Sequence, residues 1–460
     1  MILNLSRDRL DALMDEGKLK IAVFGLGRVG LPLAAAWLRA GQIVIGADID
    51  RERVDMINRG VSPMGDEPGI PEAVETFTKS GRFRVTPDLI GASRESDVKL
   101  VAVPTTRTEG GFEGAYLESA LRSIGKGMKE GDAVSIESTV PPTTTEKLAK
   151  GILEIESSLR AEEEFALAFS PERIYEGRVL EDLEERYPKV VGGVGPKSTD
   201  LFATLYGRIA KKGVIRMSSV TAAELSKLFE GVYRDVNIAL ANELAKLCEI
   251  LNVDFPEIRE ASNSQPFSHL HRPGVGVGGA CIPHYPYFVT EKSEEYGLPM
   301  PMVALARSTN ESMPQYTVEK AQRALNAVGK GFTGIKIAIL GLAFRGDVAD
   351  ARNSPTYDLI EILSGRGSNI IVHDPLIERD AELEKMGMKI VRRLEEAFEG
   401  ASLVIVATDH SAYRKIDLER LKKKMDLPAA IVDGANVIPK VGIPKGIYLT
   451  GIGIKTINQL

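Results

Sequence analysis

The chain has 460 residues, which is more than one compact core normally holds and predicts two or three domains. Its 43% hydrophobic and 27% charged residues are ordinary for a globular enzyme, and a formal net charge of −6 gives no bulk attraction to nucleic acid or to an anionic membrane. Two cysteines, Cys248 and Cys281, exclude a disulfide framework and a multi-cysteine zinc site. No apolar run has the length of a membrane span and residues 1–20 lack signal-peptide features, so we expect a cytoplasmic protein without bound metal.

Strands alternate with helices in the first half of the chain. Apolar runs at residues 20–24 and 43–47 predict buried strands on either side of a helix at residues 29–40. Further short apolar runs follow at residues 100–103, 133–136 and 165–169. This alternation is typical of a doubly wound parallel sheet.

From residue 220 to residue 252 the apolar residues recur with a helical period and no proline interrupts them, which predicts one helix about 50 Å long. We expect this helix to join two domains and to provide a surface for a homodimer or a larger oligomer. Short strands then return at residues 336–340, 369–372, 403–407 and 430–432, with a helix near residues 356–363. The expected fold class is therefore α/β, with two Rossmann-like doubly wound domains joined by a long central helix and domain limits at 1–215, 216–320 and 321–460.

The loop after the first strand has the spacing of a dinucleotide-binding loop. It reads Gly25-Leu26-Gly27-Arg28-Val29-Gly30. Gly25 permits the tight turn, Gly27 lets backbone amides approach a pyrophosphate, and Gly30 lets the helix pack closely on the strand. The phosphates would meet the unpaired N–H groups at the start of the helix. A glycine turn that binds no ligand is the alternative interpretation.

An acidic residue is expected after the second strand, where it binds the ribose hydroxyls, and Asp48 has this position. Its carboxylate would repel a 2′-phosphate, which favours NAD over NADP. Arg51 and Arg53 lie close by in the sequence and keep NADP possible.

The second α/β domain has a related loop with one glycine, Gly341, so it is not built for the same pyrophosphate approach. Arg345 and Arg352 could supply charge for the phosphates of a different nucleotide. A purely structural α/β domain is the alternative.

Residues 273–283 form the most unusual segment, with four glycines in the six residues 274–279. So many glycines are kept only where close approach or a positive φ is needed. The segment ends in Cys281, which is either a nucleophile next to a bound ligand or an inert buried thiol, the interpretation we give to Cys248.

Two carboxylates, Glu172 and Glu176, lie four residues apart after a predicted strand. If that turn is helical, both point the same way and could hold a water molecule, whereas surface charge is the simpler interpretation. His269 and His271 lie in a polar loop, and we expect them to contact a substrate rather than a metal.

Together these motifs resemble the UDP-glucose/GDP-mannose dehydrogenase family of nucleotide-sugar 6-dehydrogenases over nearly the whole chain. The motifs that carry the resemblance are GLGRVG, Val103-Pro104-Thr105, Ser138-Thr139-Val140-Pro141-Pro142, SPERIYEG, the helix with Lys227, GVGGACIP, GLAFRGDVADARNSP and Val372-His373-Asp374-Pro375.

The resemblance implies that a CH₂OH group is oxidised to a carboxylate in two hydride transfers to NAD. Cys281 is then the nucleophile that forms a thiohemiacetal and a thioester, and Lys227 stabilises the oxyanion. Glu172 and Glu176 assist hydrolysis, with Thr139 orienting a water. The implied cofactor contacts are Gly25, Gly27, Arg28, Val29, Gly30, Asp48, Arg53, Pro104, Thr105 and Thr139. The implied contacts to a UDP-sugar are Glu172, Arg173, Lys227, Asn237, His269, His271, Arg272, Gly278, Phe344, Arg345 and Arg352.

The three domains would then bind NAD, carry the cysteine loop and bind the UDP-sugar, in that order. Three positions depart from the family pattern. Gly231 replaces the common Asn four residues after the lysine, Tyr285 replaces the common Asp four residues after the cysteine, and Ala280 replaces a common His or Ser. An arginine, His284 or Tyr285 could take over the missing function.

The sequence around Asn237 resembles the family members that oxidise N-acetylhexosamines, because the glucose enzymes usually have an arginine there. An N-acetylmannosamine nucleotide is favoured over N-acetylglucosamine or glucose. Asn237 could bind the acetamido group or serve helix packing. Two other classes stay open, a non-catalytic protein that binds NAD or a UDP-sugar and a two-electron hydroxyacid dehydrogenase on the same scaffold.

Overall fold

The structure, a computed structural model, describes residues 2–65, 67–108 and 110–460. The chain forms two compact units, Met1–Phe229 and Glu230–Leu460. The domain limits at 215 and 320 stay a prediction. Among the described residues, no helix combines the length and the apolar character that crossing a membrane requires.

The first unit alternates strands and helices from its N-terminal part onward. In chain order its elements are α1 (Arg7–Asp15), β1 (Lys20–Phe24), α2 (Gly30–Arg39), β2 (Ile43–Ala47), α3 (Arg51–Asn58), α4 (Ile70–Lys79), β3 (Phe83–Thr86), α5 (Leu89–Glu95), β4 (Val98–Val101), β5 (Thr106–Thr108), β6 (Gly111–Glu113), α6 (Ala115–Gly127), β7 (Ala133–Ile136), α7 (Lys150–Ser157), β8 (Ala166–Phe169), α8 (Val179–Glu181), β9 (Lys189–Gly193), α9 (Pro196–Tyr206) and β10 (Val214–Arg216).

Eight strands of this unit form one sheet in the order β10-β9-β8-β7-β4-β1-β2-β3. All neighbouring pairs are parallel except β8 and β9. Successive residues of β1 point to opposite faces, so Ile21 and Val23 enter one hydrophobic cluster while Ala22 and Phe24 enter another. Helices therefore cover both faces, which explains why β1 is a nearly continuous apolar run.

A single long helix, α10 (Val220–Ile250, 31 residues), contains the limit between the two units. The sequence prediction of one uninterrupted helix in this region is confirmed. Cys248 is buried on this helix in a small cluster with Ala241, Ala245 and Phe255.

After α10 the second unit begins with helices and continues as an α/β layer. Its elements are α11 (Phe255–Asn263), α12 (Tyr285–Glu294), α13 (Pro301–Glu311), α14 (Met313–Ala327), β11 (Lys336–Leu340), α15 (Pro355–Ser364), β12 (Asn369–His373), α16 (Ala381–Lys385), β13 (Ile390–Val391), α17 (Leu394–Phe398), β14 (Ala401–Val406), α18 (Leu418–Leu421), β15 (Ala429–Asp433), β16 (Ile447–Gly451) and β17 (Ile454–Asn458).

The second sheet has the order β13-β12-β11-β14-β15-β16-β17 and is parallel except for its last pair. Each unit therefore places its first strand between the second and the fourth, so the two units share a doubly wound topology. The predicted α/β fold class is confirmed. Strands β3, β5, β6, β9, β10, β13, β16 and β17 were not predicted, since they lack a clear apolar run or, in β9, contain a buried lysine.

Candidate functional site

The glycine loop of the first unit joins β1 to α2 by a very close approach of backbones. Gly25 has a φ of +86°, and a Cβ there would lie 2.6 Å from the carbonyl oxygen of Ala102. A Cβ on Gly30 would lie 1.8 Å from the carbonyl oxygen of Gly25. Both positions therefore require glycine, for the turn and for helix packing respectively.

Gly27 differs, because a Cβ at this position would meet no protein atom within 4 Å. The protein packing therefore does not require glycine here, and the open space lies where the loop enters α2, whose first N–H groups have no partner within the helix. Val29 is the N-cap residue of this helix. Open space beside a helix N-terminus fits the pyrophosphate of a dinucleotide, so the loop is suited to NAD.

Asp48 follows β2 and is buried against the glycine loop. Its Oδ2 accepts a hydrogen bond of 2.7 Å from the amide of Leu26 and its Oδ1 accepts one of 2.9 Å from the amide of Asp50. Arg53 donates to Asp48 over 3.1 Å and lies 3.4 Å from Asp50. The arginine that kept NADP possible is therefore held by two carboxylates, which reduces its capacity to bind a 2′-phosphate.

Two further loops at the same edge of this sheet are tied to each other. The hydroxyl of Thr105 donates to the carbonyl oxygen of Thr139 over 2.7 Å, and that of Ser138 donates to Val103 over 2.7 Å. Pro104 lies between these contacts and is exposed. The structure thus brings together Pro104, Thr105 and Thr139, as their position after β4 and β7 suggests.

The loop with Thr139 is also anchored on α10. Glu224 accepts hydrogen bonds from the amides of Thr143 (2.6 Å) and Thr145 (2.8 Å). Burial raises the pKa of Glu224 to about 7, against the effect of these hydrogen bonds. Glu224 lies three residues before Lys227 on the same helix, so one helical turn carries both groups.

The segment with Glu172 and Glu176 is not helical, so the condition under which both carboxylates point the same way is not met. Glu176 forms an ion pair of 3.2 Å with Arg28 of the glycine loop. The carboxylate of Glu172 turns inward instead and pairs with Lys189, while its carbonyl oxygen accepts a hydrogen bond of 2.5 Å from the ammonium group of Lys227.

Glu172 belongs to a buried network that sequence reasoning missed. Lys189 pairs with both Glu172 and Glu137, and Glu137 also accepts hydrogen bonds from Ser135 and Tyr206. Burial alone would lower the pKa of Lys189, but the charges of Glu137 and Glu172 raise it above its ordinary value. The one feature of the sequence that could have indicated this network is Lys189, a lysine in a strand that is otherwise apolar. It is the first residue of β9, and every residue of that strand is buried.

Arg173, next to Glu172, is held within the first unit. Its guanidinium donates to the carbonyl oxygen of Pro188 and lies over the ring of Tyr187, 5.8 Å from the ring centroid.

In the second unit, Cys281 is exposed, in contrast to the buried Cys248. Its carbonyl oxygen accepts hydrogen bonds of 3.1 Å from the amides of both His284 and Tyr285. These bonds form the turn that leads into α12, so Cys281 lies four residues before the first residue of that helix. The alternative interpretation of Cys281, an inert thiol packed in a core, does not agree with this exposure.

The glycine loop before Cys281 packs against the loop that follows β11. A Cβ on Gly278 would lie 2.8 Å from the Cβ of Phe344, and one on Gly279 would lie 2.9 Å from its ring. The amide of Gly279 donates to the carbonyl oxygen of Arg352 over 2.8 Å, and Asn353 donates to the carbonyl oxygen of Gly279 over 3.2 Å. The predicted substrate residues Gly278, Phe344 and Arg352 therefore lie together, with Arg345 adjacent in the chain.

The guanidinium of Arg352 pairs with Asp350, with Nε 3.0 Å from both carboxylate oxygens. The charge predicted to bind phosphate is thus partly neutralised.

Other predicted substrate residues lie on α10 and in the loop after α11. His269 and His271 make edge-to-face ring contact at 5.4 Å, and Arg272 lies 3.8 Å from Asp409. Burial, with the nearby charges of His269 and two arginines, lowers the pKa of His271. The side-chain amide of Asn237 donates to the carbonyl oxygen of Tyr233 in its own helix over 2.8 Å, which is the packing alternative left open for this residue.

Two departures from the family pattern contact each other. A Cβ on Gly231 would lie 2.4 Å from Cδ2 of Tyr285, so the tyrosine ring packs directly on α10 at the glycine. The third, Ala280, is exposed.

Asp374 is a further residue that the sequence analysis did not single out, although it belongs to the Val372-His373-Asp374-Pro375 motif. It follows β12 as Asp48 follows β2, and its Oδ2 accepts a hydrogen bond of 2.8 Å from the amide of Leu342 in the loop after β11. Burial alone would raise the pKa of Asp374, but hydrogen bonds from His410 and from the Ala343 amide hold it at about 2.

Comparison with known proteins gives consistent matches along the chain. Models of the UDP-glucose/GDP-mannose dehydrogenase family match at residues 19–210 (NAD binding domain), 221–312 (central domain) and 338–440 (UDP binding domain). The UDP-N-acetyl-D-mannosamine dehydrogenase of Pyrococcus horikoshii is 36% identical over 436 residues, which cover 95% of this chain and 99% of the relative.

Solved structures agree with this. The UDP-D-ManNAc dehydrogenase of Pyrococcus horikoshii has a TM-score of 0.86 at 34% identity and covers 95% of this chain and 99% of its own. The NDP-N-acetyl-D-galactosaminuronic acid dehydrogenase of Methanosarcina mazei has a TM-score of 0.83 at 34% identity and covers 98% of each chain.

The open space beside Gly27 gives a direct test of the dinucleotide loop. Gly27→Ala should leave folding intact, because the new Cβ meets no protein atom, yet weaken NAD binding at least tenfold, or about 1.4 kcal/mol, by occupying the space for the pyrophosphate. Calorimetric titration with NADH measures the change. Gly151→Ala in α7, where a Cβ is equally unobstructed, is the matched control. Equal affinity of the two variants would contradict this assignment of the loop.

Proposed function

Because this chain belongs to the UDP-glucose/GDP-mannose dehydrogenase family of NAD-dependent UDP-sugar dehydrogenases, we propose that it oxidises the C6 alcohol of a UDP-N-acetylhexosamine to the carboxylate. Cys281 is the covalent catalyst, and UDP-N-acetyl-D-mannosamine is the first candidate substrate. The observation that carries this proposal is the exposed Cys281 thiol at the end of a glycine loop, whereas Cys248 is buried.

The thiol allows one site to remove two hydrides. Loss of a hydride and a proton converts the CH₂OH group to an aldehyde. The sulfur of Cys281 then adds to the aldehyde carbon, and the oxygen takes up a proton, which gives a thiohemiacetal. The thiohemiacetal carbon again carries a hydroxyl group and a hydrogen atom, so a second hydride and a proton can leave to give a thioester. Water hydrolyses the thioester, releases the carboxylate and restores the thiol.

Lys227 supports the steps in which negative charge develops on the sugar oxygen. Its ammonium group is anchored by the hydrogen bond to the Glu172 carbonyl oxygen, and a fixed cation stabilises an oxyanion better than a mobile one. Hydrolysis of the thioester is assigned to Glu176 and Thr139, with Glu172 in a supporting position. We give Glu172 the lesser role because its carboxylate points inward and pairs with Lys189.

NAD, when bound, supplies the nicotinamide that accepts each hydride. The residues that would hold it are Gly25, Gly27 and Gly30 at the pyrophosphate and Asp48 at the ribose, with Pro104 and Thr105 on the neighbouring loop. Asp48 is held in place by the Leu26 amide, which keeps its carboxylate next to the glycine loop.

We assign NAD to the first α/β region and UDP to the second, because the family models for the NAD binding domain and the UDP binding domain match there. We assign Phe344, Arg345, Arg352 and Gly278 to UDP-sugar binding because the loops that contain them are hydrogen bonded to each other and lead to Cys281. His269, His271 and Arg272 are assigned to the same ligand.

The choice of sugar depends mainly on the relatives, whose names include both N-acetylmannosamine and N-acetylgalactosaminuronic acid. The amide donor of Asn237 is used by Tyr233, so it adds little support for acetamido recognition. UDP-N-acetylglucosamine and UDP-glucose are the alternative substrates. We place the reaction in the cytoplasm, where UDP-sugars for polysaccharide synthesis are made.

We assign the exposed side of α10 to a second copy of this chain. Leu240 and Leu247 are seven residues apart, which is two helical turns on one face, and are 42% and 52% exposed. Ile250, at the end of the helix, is 81% exposed. A two-fold dimer would bury this apolar patch against the same patch of the second copy.

The central prediction concerns stoichiometry. The purified protein should produce about two NADH per UDP-N-acetylmannosamine consumed, because each sugar loses two hydrides. Cys281→Ser should lose completed oxidation while keeping NAD affinity, since its hydroxyl is a far weaker nucleophile. NADH absorbance and chromatography of the sugar nucleotides measure both quantities, across a panel that includes UDP-N-acetylglucosamine, UDP-N-acetylgalactosamine and UDP-glucose.

Complete turnover by Cys281→Ser would reject covalent catalysis. One NADH per sugar would favour an ordinary two-electron dehydrogenase, and measurable binding with no NADH from any sugar would favour a non-catalytic binding protein.

The dimer is tested by charge substitution on α10. Leu240→Arg combined with Leu247→Arg should shift the protein from dimer to monomer in light scattering after size exclusion, because two desolvated arginines oppose association. Val441→Arg, at a residue that is 93% exposed outside this helix, is the control and should stay dimeric. A monomeric parent protein would contradict the assignment.

A further inference from the structure

Gly231 is a glycine in the interior of a long helix, where alanine would normally be more stable. Its φ is not positive, so the backbone conformation does not explain it. The explanation is the close approach of Tyr285, since a Cβ at position 231 would lie 2.4 Å from Cδ2, 3.0 Å from Cβ and 3.1 Å from Cγ of that residue.

This contact involves the part of Tyr285 nearest to the backbone. The tip of a flexible side chain can swing away from an added methyl group, but Cβ of Tyr285 moves only when the backbone of residue 285 moves, and Cγ moves only when the whole ring rotates about the Cα–Cβ bond. Tyr285 is 6% exposed, so its ring has no open space into which it can shift.

Displacement of Tyr285 would be transmitted to Cys281. The amide of Tyr285 donates a hydrogen bond of 3.1 Å to the carbonyl oxygen of Cys281, as does the amide of His284. The turn from residue 281 to residue 285 is therefore one short hydrogen-bonded segment. Cys281 lies at one end of it, and the ring that packs on Gly231 lies at the other.

A different loop, which contains Asn353, also holds this turn. The side-chain amide of Asn353 lies 3.2 Å from the carbonyl oxygen of Gly279 and 3.1 Å from Nε2 of His284. The cysteine turn is thus held by Asn353 on one side and by the contact between Tyr285 and Gly231 on the other.

We infer that Tyr285 is a positioning residue for the Cys281 thiol, and that it acts through the fit of its ring on Gly231. The inference rests on the proposed covalent function of Cys281. It assigns a task to two of the three positions that depart from the family pattern, Gly231 on α10 and Tyr285 on α12, which fit each other.

The consequence is specific to the second half of the reaction. Removal of the first hydride needs no thiol, whereas thiohemiacetal formation needs the sulfur at bonding distance from the aldehyde carbon. Misplacement of a reacting atom by about 1 Å costs on the order of a hundredfold in rate. A displaced Tyr285 should therefore spare aldehyde formation and slow the step that follows it.

Gly231→Ala, Tyr285→Ala and Tyr285→Phe test this, with Gly151→Ala as the control for adding a methyl group to a helical glycine without obstruction. In Gly231→Ala and in Tyr285→Ala, NADH per sugar should fall from about two toward one, and hydroxylamine should trap the released aldehyde. Tyr285→Phe and Gly151→Ala should keep the stoichiometry of the parent protein. Equal loss of both hydrides, or failure of Tyr285→Phe, would overturn the inference.

Hydrogen exchange provides a measurement that does not depend on the proposed function. Mass spectrometry of the peptide that covers residues 281–289 should show faster amide exchange in Gly231→Ala than in the parent protein or in Gly151→Ala, because the bond from Tyr285 to the Cys281 carbonyl is weakened. If the parent protein makes no NADH but exchange rises as stated, the covalent function fails and the positioning contact stands. Unchanged exchange in a folded Gly231→Ala protein would overturn the inference by itself.

Discussion

The hydrogen bonds that the Cys281 carbonyl accepts from the amides of His284 and Tyr285 are the interaction on which the proposed chemistry depends. They tie the backbone of the exposed Cys281 to His284 and to Tyr285, the first residue of α12, although the preceding loop is rich in glycine. Without such an anchor, a thiol at the end of a flexible loop would lose the advantage of a defined approach to the aldehyde. The glycines let the loop follow Phe344 closely, and the hydrogen-bonded turn begins at the residue to which we assign the covalent bond.

The two units use the same topology for different purposes. In each, a carboxylate after the second strand accepts a hydrogen bond from the loop after the first strand, through Asp48 to Leu26 and through Asp374 to Leu342. The first loop keeps open space at Gly27 for a dinucleotide. In the second unit, Asp374 is engaged by His410 and several amides, and it holds the loop after β11.

Local patterns of the sequence predicted much of this arrangement. Apolar runs identified β1 and β2, a helical period of apolar residues identified α10, and glycine spacing with a following acid identified the loop with Gly25 and Asp48. Contacts that join distant parts of the chain were beyond such patterns. Nothing near Glu172 indicates that its carboxylate pairs with Lys189, seventeen residues away, and nothing near Gly231 indicates a ring from position 285. The same limit applies to the turn after β8, where a helical turn was the condition for Glu172 and Glu176 to point the same way, and the segment is irregular instead.

Detection of an acyl enzyme on Cys281 is the most direct measurement of covalent catalysis. Excess protein is mixed with NAD and UDP-N-acetylmannosamine, quenched in acid at short times, digested and analysed by mass spectrometry. If Cys281 is the covalent catalyst, the peptide with Cys281 transiently gains the mass of the UDP-linked uronyl group, while the peptide with Cys248 stays unmodified. Complete conversion to the uronate with the Cys281 peptide unmodified at every time point would contradict the account.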